Sequence, residues 1–211
     1  MVSLEQQVSY APELTMREAR TRYFSENGFG DDGGYGDAWV DFKLGPVPFP
    51  IPNTPARVKA VRYHDLHHVL TGYRTNFPGE VEISAWELGA GCKKYFAAWQ
   101  LNLGGMAAGL LFMPRRTLQA FVRGRRSDTL YGNEFEPLLE QTVAQVRGAM
   151  HVPASEPPLR ASAADWALFV PTLIAGWIVG LLSLAVFLPL LPFGLVTNFL
   201  RARSRRLSAA R

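Results

Sequence analysis

The chain has 211 residues, of which 48% are hydrophobic, and this is enough for one globular domain with an additional segment. Its single cysteine, Cys92, excludes an internal disulfide and is typical of a reducing compartment. The net charge of +4 comes from five arginines between positions 201 and 211, since 22 basic residues less these five leave 17 against 18 acidic residues. A nucleic-acid-binding domain carries its excess of basic residues on a folded surface, so we expect no nucleic-acid partner.

Residues 1–14 contain no apolar core of a signal peptide, and we predict that they form a flexible arm. The first helix is predicted to begin after Thr15, because Thr15 and Glu18 have the spacing of a capping box. Gly28 is the expected end of this helix, since glycine adopts the left-handed conformation that follows many helices.

A long stretch without helical pattern, residues 28–54, follows this helix. Residues 39–44 predict a short strand. After them, prolines at 46, 48, 50 and 52 alternate with apolar residues, which excludes a helix and favours an extended chain. We interpret the stretch either as a lid or wall of a substrate site or as a strap that covers hydrophobic core.

Two helices joined by a short loop are predicted next. Asn53 or Thr54 can cap a helix that begins at Pro55, because proline suits the first helical position, and Gly72 can end it. Asn76 is the expected cap of the second helix, which places Glu80 in its first turn.

This helix pair carries the pattern of a metal site. His64 and His68 lie one turn apart, at about 40° on a helical wheel, and Asp65 borders the same surface. Eleven residues separate His68 from Glu80, which faces back toward the histidines. Two imidazoles and two carboxylates favour zinc or iron(II), with cobalt or manganese as further candidates. If Asp65 or Glu80 does not bind the ion directly, a position opens for water or substrate.

The second helix adds Glu87, which lies on a polar stripe with Ser84 between apolar neighbours. We interpret Glu87 as a catalytic proton carrier or as a group that orients a metal ligand. His67 points to the other side of His64, and we interpret it as a structural histidine. The alternative for the whole group is that these are surface polar residues or hydrogen-bonded core residues, since His-x-x-x-His alone is a weak pattern.

The rest of the domain is also predicted to be helical. The second metal helix is expected to run from 77 to 102, with Cys92 inside it, until Gly104 and Gly105 interrupt it. A further segment begins at Pro114, and Asn133 is expected to cap the last helix of a domain that spans residues 15–150. Prolines and small residues then mark a linker at 151–164.

A membrane segment is predicted at 165–200, where residues 166–200 carry no charge. As one helix they would measure about 52 Å, more than the roughly 30 Å of a hydrocarbon core. We therefore expect Pro189 and Pro192 to split the segment into a membrane helix and a re-entrant or interfacial piece. The fold class is all-α, with a membrane helix or a re-entrant segment at the C-terminus. The basic tail, 201–211, favours a cytoplasmic C-terminus.

The string His64-Asp65-x-x-His68, eleven residues and Glu80 resembles the motif of the Coq-four family of ubiquinone (coenzyme Q) biosynthesis proteins. The resemblance covers residues 15–150. It implies a helical, membrane-associated protein that binds a divalent metal and a prenylated lipid or quinone precursor. It also implies that the family organises other quinone-biosynthesis enzymes and replaces the ring carboxylate of a polyprenyl hydroxybenzoate with a hydroxyl. We accordingly expect a bacterial inner-membrane protein with its metal domain on the cytoplasmic side. The sequence is compatible with an oligomer.

Two alternatives remain open at this point. One is a non-catalytic, prenyl-lipid-binding scaffold with a structural metal, and the other is a membrane protein unrelated to quinones. Zincin proteases are excluded because the chain has no HExxH motif. A phosphohydrolase of the HD type needs a ligating histidine upstream of the pair, and His64 is the first histidine in the chain.

Overall fold

The computed structural model describes residues 8–44, 47–153 and 160–209. Over these ranges the protein is 67% helical, with eight helices and one two-stranded sheet, so the predicted all-α class is confirmed. The elements in chain order are α1 (Met16–Asn27), β1 (Trp39–Leu44), β2 (Val47–Pro52), α2 (Pro55–Thr71), α3 (Phe77–Ala90), α4 (Phe96–Phe112), α5 (Pro114–Gly124), α6 (Phe135–Leu139), α7 (Val143–Ala149) and α8 (Ala163–Ala209).

The predicted starts of the first three helices are confirmed. Thr15 and Glu18 form the capping box of α1, and Gly28 follows it in the left-handed conformation. The Thr54 side chain accepts from the backbone N–H of Arg57 at the start of α2. The Asn76 side chain accepts from Gly79 in the same way and fixes the start of α3. These caps satisfy N–H groups that the helices themselves leave free.

The predicted strand and the proline-rich segment pair with each other as an antiparallel hairpin, in which Trp39 lies opposite Pro52 and Leu44 opposite Val47. The sequence predicts an extended chain here but not its partner. In an antiparallel pair only alternate residues bond to the neighbouring strand, so prolines at every second position fit an edge strand.

The helix predicted at 77–102 is wrong in its bounds, because α3 ends at Ala90 and a new helix, α4, begins at Phe96. Gly91 has φ +93°, a conformation that ends the helix, and Cys92 lies buried in the turn instead of inside a helix. Helix α4 continues through Gly104 and Gly105. A Cβ at Gly105 would lie 2.3 Å from the Ser84 Oγ, so this glycine serves close packing of α4 on α3.

The last helix of the domain is two short helices, α6 and α7, and Asn133 does not cap either of them. Thr142 interrupts the predicted helix, because it forms a capping box with Gln145 and pairs with Thr15 in an isolated bridge. The N-terminal residues from Val8 onward pack on the domain: Tyr10 is buried and its hydroxyl donates to Glu26. Of the predicted arm, residues 1–7 lie outside the described residues, as do residues 154–159 of the linker.

Helix α8 runs without a break from Ala163 to Ala209 and contains Pro171, Pro189 and Pro192. The predicted split at the last two prolines is therefore wrong. A proline removes one helical hydrogen bond, and an apolar helix can continue past it when local adjustments satisfy the freed carbonyl. Residues Ala163–Val186 are long and apolar enough to cross a membrane, and only 11% of that window is buried.

Candidate metal centre

Three of the four predicted ligands lie together where α2 meets the first turn of α3. The Nε2 atoms of His64 and His68 are 3.1 Å apart, and each lies 3.5 Å from one oxygen of Glu80. In a tetrahedral site with bonds of about 2.0–2.2 Å, neighbouring ligand atoms are about 3.3 Å apart. His64, His68 and Glu80 therefore form a group that could hold a metal ion.

Hydrogen bonds fix which ring nitrogen of each histidine faces this group. The Nδ1 of His64 donates to Glu87 Oε1 (2.9 Å), and the Nδ1 of His68 donates to the backbone carbonyl of Tyr73 (2.8 Å). In the neutral tautomers both Nε2 atoms then carry a lone pair, and the two lone pairs face each other. Such a contact needs a cation, either a metal ion or a proton, and ligating histidines are usually oriented in this way.

The charges around the group also favour a cation. Burial opposes a charged imidazolium at His64, but the carboxylates of Glu87 and Glu80 outweigh it, so the pKa of His64 lies well above its usual value. Burial would raise the pKa of Glu80, yet the neighbouring His68 and His64 hold that pKa far below its usual value. The Glu80 side chain is 44% exposed and that of His68 is fully covered, so the group opens to the surface on the Glu80 side.

Asp65, the fourth predicted ligand, lies outside this group of three. Its two carboxylate oxygens accept from the hydroxyls of Tyr23 (3.3 Å) and Tyr35 (2.5 Å). Burial raises the pKa of Asp65, although Tyr35 and the two histidines act in the opposite direction. The Tyr23 ring stacks on the His68 imidazole, with centroids 5.6 Å apart. Asp65 thus holds α1 and the loop at residues 29–38, which contains Tyr35, against α2.

We expect Asp65→Asn to keep the metal stoichiometry of the wild type while lowering stability by roughly 1–3 kcal/mol, since two tyrosine hydroxyls lose a charged acceptor. Elemental analysis and thermal unfolding of the purified variant measure the two effects. Loss of the metal from a variant that remains folded would place Asp65 among the ligands instead.

Glu87 is a fully buried carboxylate at the centre of a hydrogen-bond network. Four side chains donate to it: His64 (2.9 Å) and His67 (2.7 Å) to Oε1, Asn102 (2.5 Å) and Tyr131 (2.7 Å) to Oε2. Burial would raise the pKa of Glu87, but His64 and His67 hold it well below the usual value, so the group is a carboxylate. Its geometry suits the orientation of His64; a role as proton carrier stays a prediction.

His67 uses both ring nitrogens away from the candidate metal group. Its Nδ1 bonds to Glu87, and its Nε2 accepts from the backbone N–H of Leu130 (3.0 Å). Burial lowers the pKa of His67, which favours the neutral ring. This arrangement agrees with the interpretation of His67 as a structural histidine.

The sequence reasoning missed the partners that orient the predicted residues, namely Tyr23, Tyr35, Asn102 and Tyr131. One of them had a signal: Asn102 is a polar residue in α4, a helix that carries no charged residue. A buried amide needs a hydrogen-bond partner, so its position alone predicts a polar contact. The tyrosines had no such signal, because they lie far away in the sequence.

Over the described residues, the fold and the site define a helical protein with one helix that could cross a membrane and a residue group that could hold a metal ion. No protein-family model and no curated protein sequence matches the chain. The likeness to the Coq-four family accordingly rests on the motif residues His64, Asp65, His68 and Glu80 and on the residues 69–72 and 79 that accompany them.

Proposed function

We propose that the protein is a membrane-anchored, metal-dependent enzyme of ubiquinone or prenyl-quinone biosynthesis. The observation that carries the metal-dependent part is the convergence of two oriented Nε2 lone pairs on the Glu80 carboxylate. Zinc and iron(II) suit this donor set best, because it combines two imidazoles with a carboxylate and has no thiolate. The quinone part rests on the resemblance of the motif to the Coq-four family.

The proposed reaction replaces the ring carboxylate of a polyprenyl hydroxybenzoate with a hydroxyl. The bond between ring and carboxylate breaks and carbon dioxide leaves, water supplies the hydroxyl oxygen, and dioxygen is the oxidant, which takes up two electrons and two protons as hydrogen peroxide. A bound ion would supply Lewis-acid chemistry at the ring. His64, His68 and Glu80 would hold the ion, and three protein ligands leave a coordination position for water or substrate. Glu87 and the Tyr73 carbonyl keep both imidazoles in the ligating tautomer. Asp65 holds the Tyr23 ring against His68, and this contact restricts the rotation of the His68 imidazole.

A second candidate function is a non-catalytic, lipid-binding scaffold that gathers quinone-biosynthesis enzymes and holds a structural metal. One observation favours it: a cavity of about 620 Å³ on the outer side of α2 is lined by residues such as Tyr35, Arg62 and Tyr63, and not by the metal group. An enzyme needs its substrate at the ion, whereas a scaffold does not.

Elemental analysis of the purified protein tests the metal site. We expect about one equivalent of divalent metal in the wild type. His64→Ala/His68→Ala should lose the metal, because Glu80 alone supplies too few ligand atoms to hold the ion. His151→Ala is the matched control, since the His151 side chain is exposed and bonds to Asp128 at the surface, away from the metal group. Metal-free wild-type protein after reconstitution with zinc or iron(II) would contradict the proposal.

The enzyme and the scaffold are separated by incubating the metal-loaded protein with a polyprenyl hydroxybenzoate in oxygen-saturated buffer and measuring released carbon dioxide. Release that depends on both histidines supports the enzyme. Binding of the lipid without release, at an unchanged metal content, supports the scaffold.

A further inference from the structure

One end of the helical domain exposes large apolar side chains. Phe77 at the start of α3 and Phe112 at the end of α4 contact each other, with ring centroids 5.7 Å apart, yet they are 54% and 69% exposed. Leu111 beside them is 61% exposed. A contiguous patch of exposed apolar side chains often marks a contact site for a protein or a membrane. We call Phe77, Leu111 and Phe112 the apolar end of the domain.

Helix α8 leaves the domain at this same end. Near its start Asp165 pairs with Arg125 at the end of α5, and a turn later Phe169 packs on Phe121. Farther along, Gly176 packs against the Leu103 carbonyl, from which a Cβ at this glycine would be only 2.7 Å away. The contacts therefore follow α5 and α4 in the direction of Phe112.

Among the side chains that the structure describes, the partly buried stripe by which α8 packs on α4 and α5 ends at Ser183. The side chains described beyond it, including Leu184, Val186 and Leu188, are exposed. Residues 184–200 carry no charge, and as a helix they measure about 26 Å, close to the roughly 30 Å of a hydrocarbon core. A bilayer that accepts this part of α8 would begin near the apolar end.

The outward face of α8 beside the domain is apolar as well, as Leu168, Ile174 and Leu181 show. The whole uncharged segment, 166–200, is longer than a hydrocarbon core, and a helix of excess length tilts in the bilayer. A tilt toward the domain, on the opposite side of α8, brings the apolar end down onto the membrane. Arg115 then lies next to the apolar end, where an exposed arginine can meet anionic headgroups.

We propose that the apolar end of the domain is a membrane-contact surface: Phe77, Leu111 and Phe112 lie in the interfacial layer of the bilayer, with Arg115 at the headgroups. The partner is the lipid surface itself. Glu80 is on the same first turn of α3 as Phe77, so the open side of the metal group lies close to the bilayer. The surface exists whether or not a metal binds, and it is tested independently of the metal site.

The test uses the full-length protein in vesicles of phosphatidylcholine and phosphatidylglycerol. Phe112→Cys is labelled with an environment-sensitive fluorophore, and Phe96→Cys is the matched control at the opposite end of α4, where Phe96 is 78% exposed. The native thiol, Cys92, is buried and unavailable for labelling. For position 112 we expect blue-shifted emission, quenching by spin-labelled lipid, and several-fold weaker quenching by iodide than at position 96.

Equal and strong iodide quenching at both positions would overturn the proposal, since the apolar end would then lie in water. Shielding of position 112 in detergent as much as in vesicles, together with cross-linked dimers, would also overturn it and assign the surface to a second copy of the chain. Phe77→Cys gives a second reading of the same surface and is expected to behave like Phe112→Cys.

Discussion

Glu87→Gln is expected to weaken metal binding by about 10- to 100-fold, the usual effect of losing the group that orients a ligating histidine. The amide oxygen can still accept from His64 and His67, but the amide nitrogen meets the donor of Asn102, so the network loses a hydrogen bond and its negative charge. Since the group is buried, we also expect a stability loss of roughly 1–3 kcal/mol. Competition titration with a metal-sensitive dye measures the affinity.

Glu82→Gln is the matched control for this variant. Glu82 is a buried glutamate on the same helix, and its carboxylate bonds to the Arg116 guanidinium on α5 at 2.7 and 2.8 Å. Its loss should lower stability and leave the metal affinity unchanged, because its carboxylate bonds to Arg116 and not to a ligating histidine. If both variants bound metal as tightly as the wild type, the orienting role of Glu87 would be refuted.

The parts of the fold that the sequence predicts well are those decided by near neighbours. Each confirmed helix start depends on a side chain that reaches a backbone N–H only three residues away, as at Thr15, Thr54 and Asn76. The spacing of His64 and His68 along one helix is equally local, and Glu80 needs only one tight loop to meet them. Short-range geometry therefore supplies most of the candidate metal group.

Other features depend on contacts that no local pattern contains. Asp65 turns to Tyr23 and Tyr35, which lie 42 and 30 residues away, and this contact decides that it leaves the metal group. Two glycines show the same difficulty. Gly91 ends helix α3, whereas Gly105 lies inside helix α4, where it allows Ser84 to pack closely. The sequence alone does not show whether a glycine ends a helix or allows close packing inside one.

A further large effect is expected at the crossing of α3 and α5, where two glycines allow the backbones to touch. A Cβ at Gly124 would lie 2.0 Å from the carbonyl oxygen of Trp86, and one at Gly89 would lie 2.2 Å from that of Phe121. Gly124→Ala therefore has to push the helices apart. We expect a loss of about 3 kcal/mol, the upper end of typical overpacking, which corresponds to a melting temperature lower by roughly 6–12 °C.

The matched control is Gly148→Ala in α7, where a Cβ would meet no atom within 4 Å. Alanine is the better helix former by about 0.5–1 kcal/mol, so this variant should melt slightly above the wild type. The two variants share the same chemical change, and only the contact at Trp86 distinguishes them.

The Trp86 ring also packs on His67, with centroids 5.0 Å apart, and His67 donates to Glu87. A shift of α3 at Gly124→Ala should consequently weaken metal binding as well, whereas unchanged affinity in a destabilised variant would show that the metal group does not depend on the packing of Trp86.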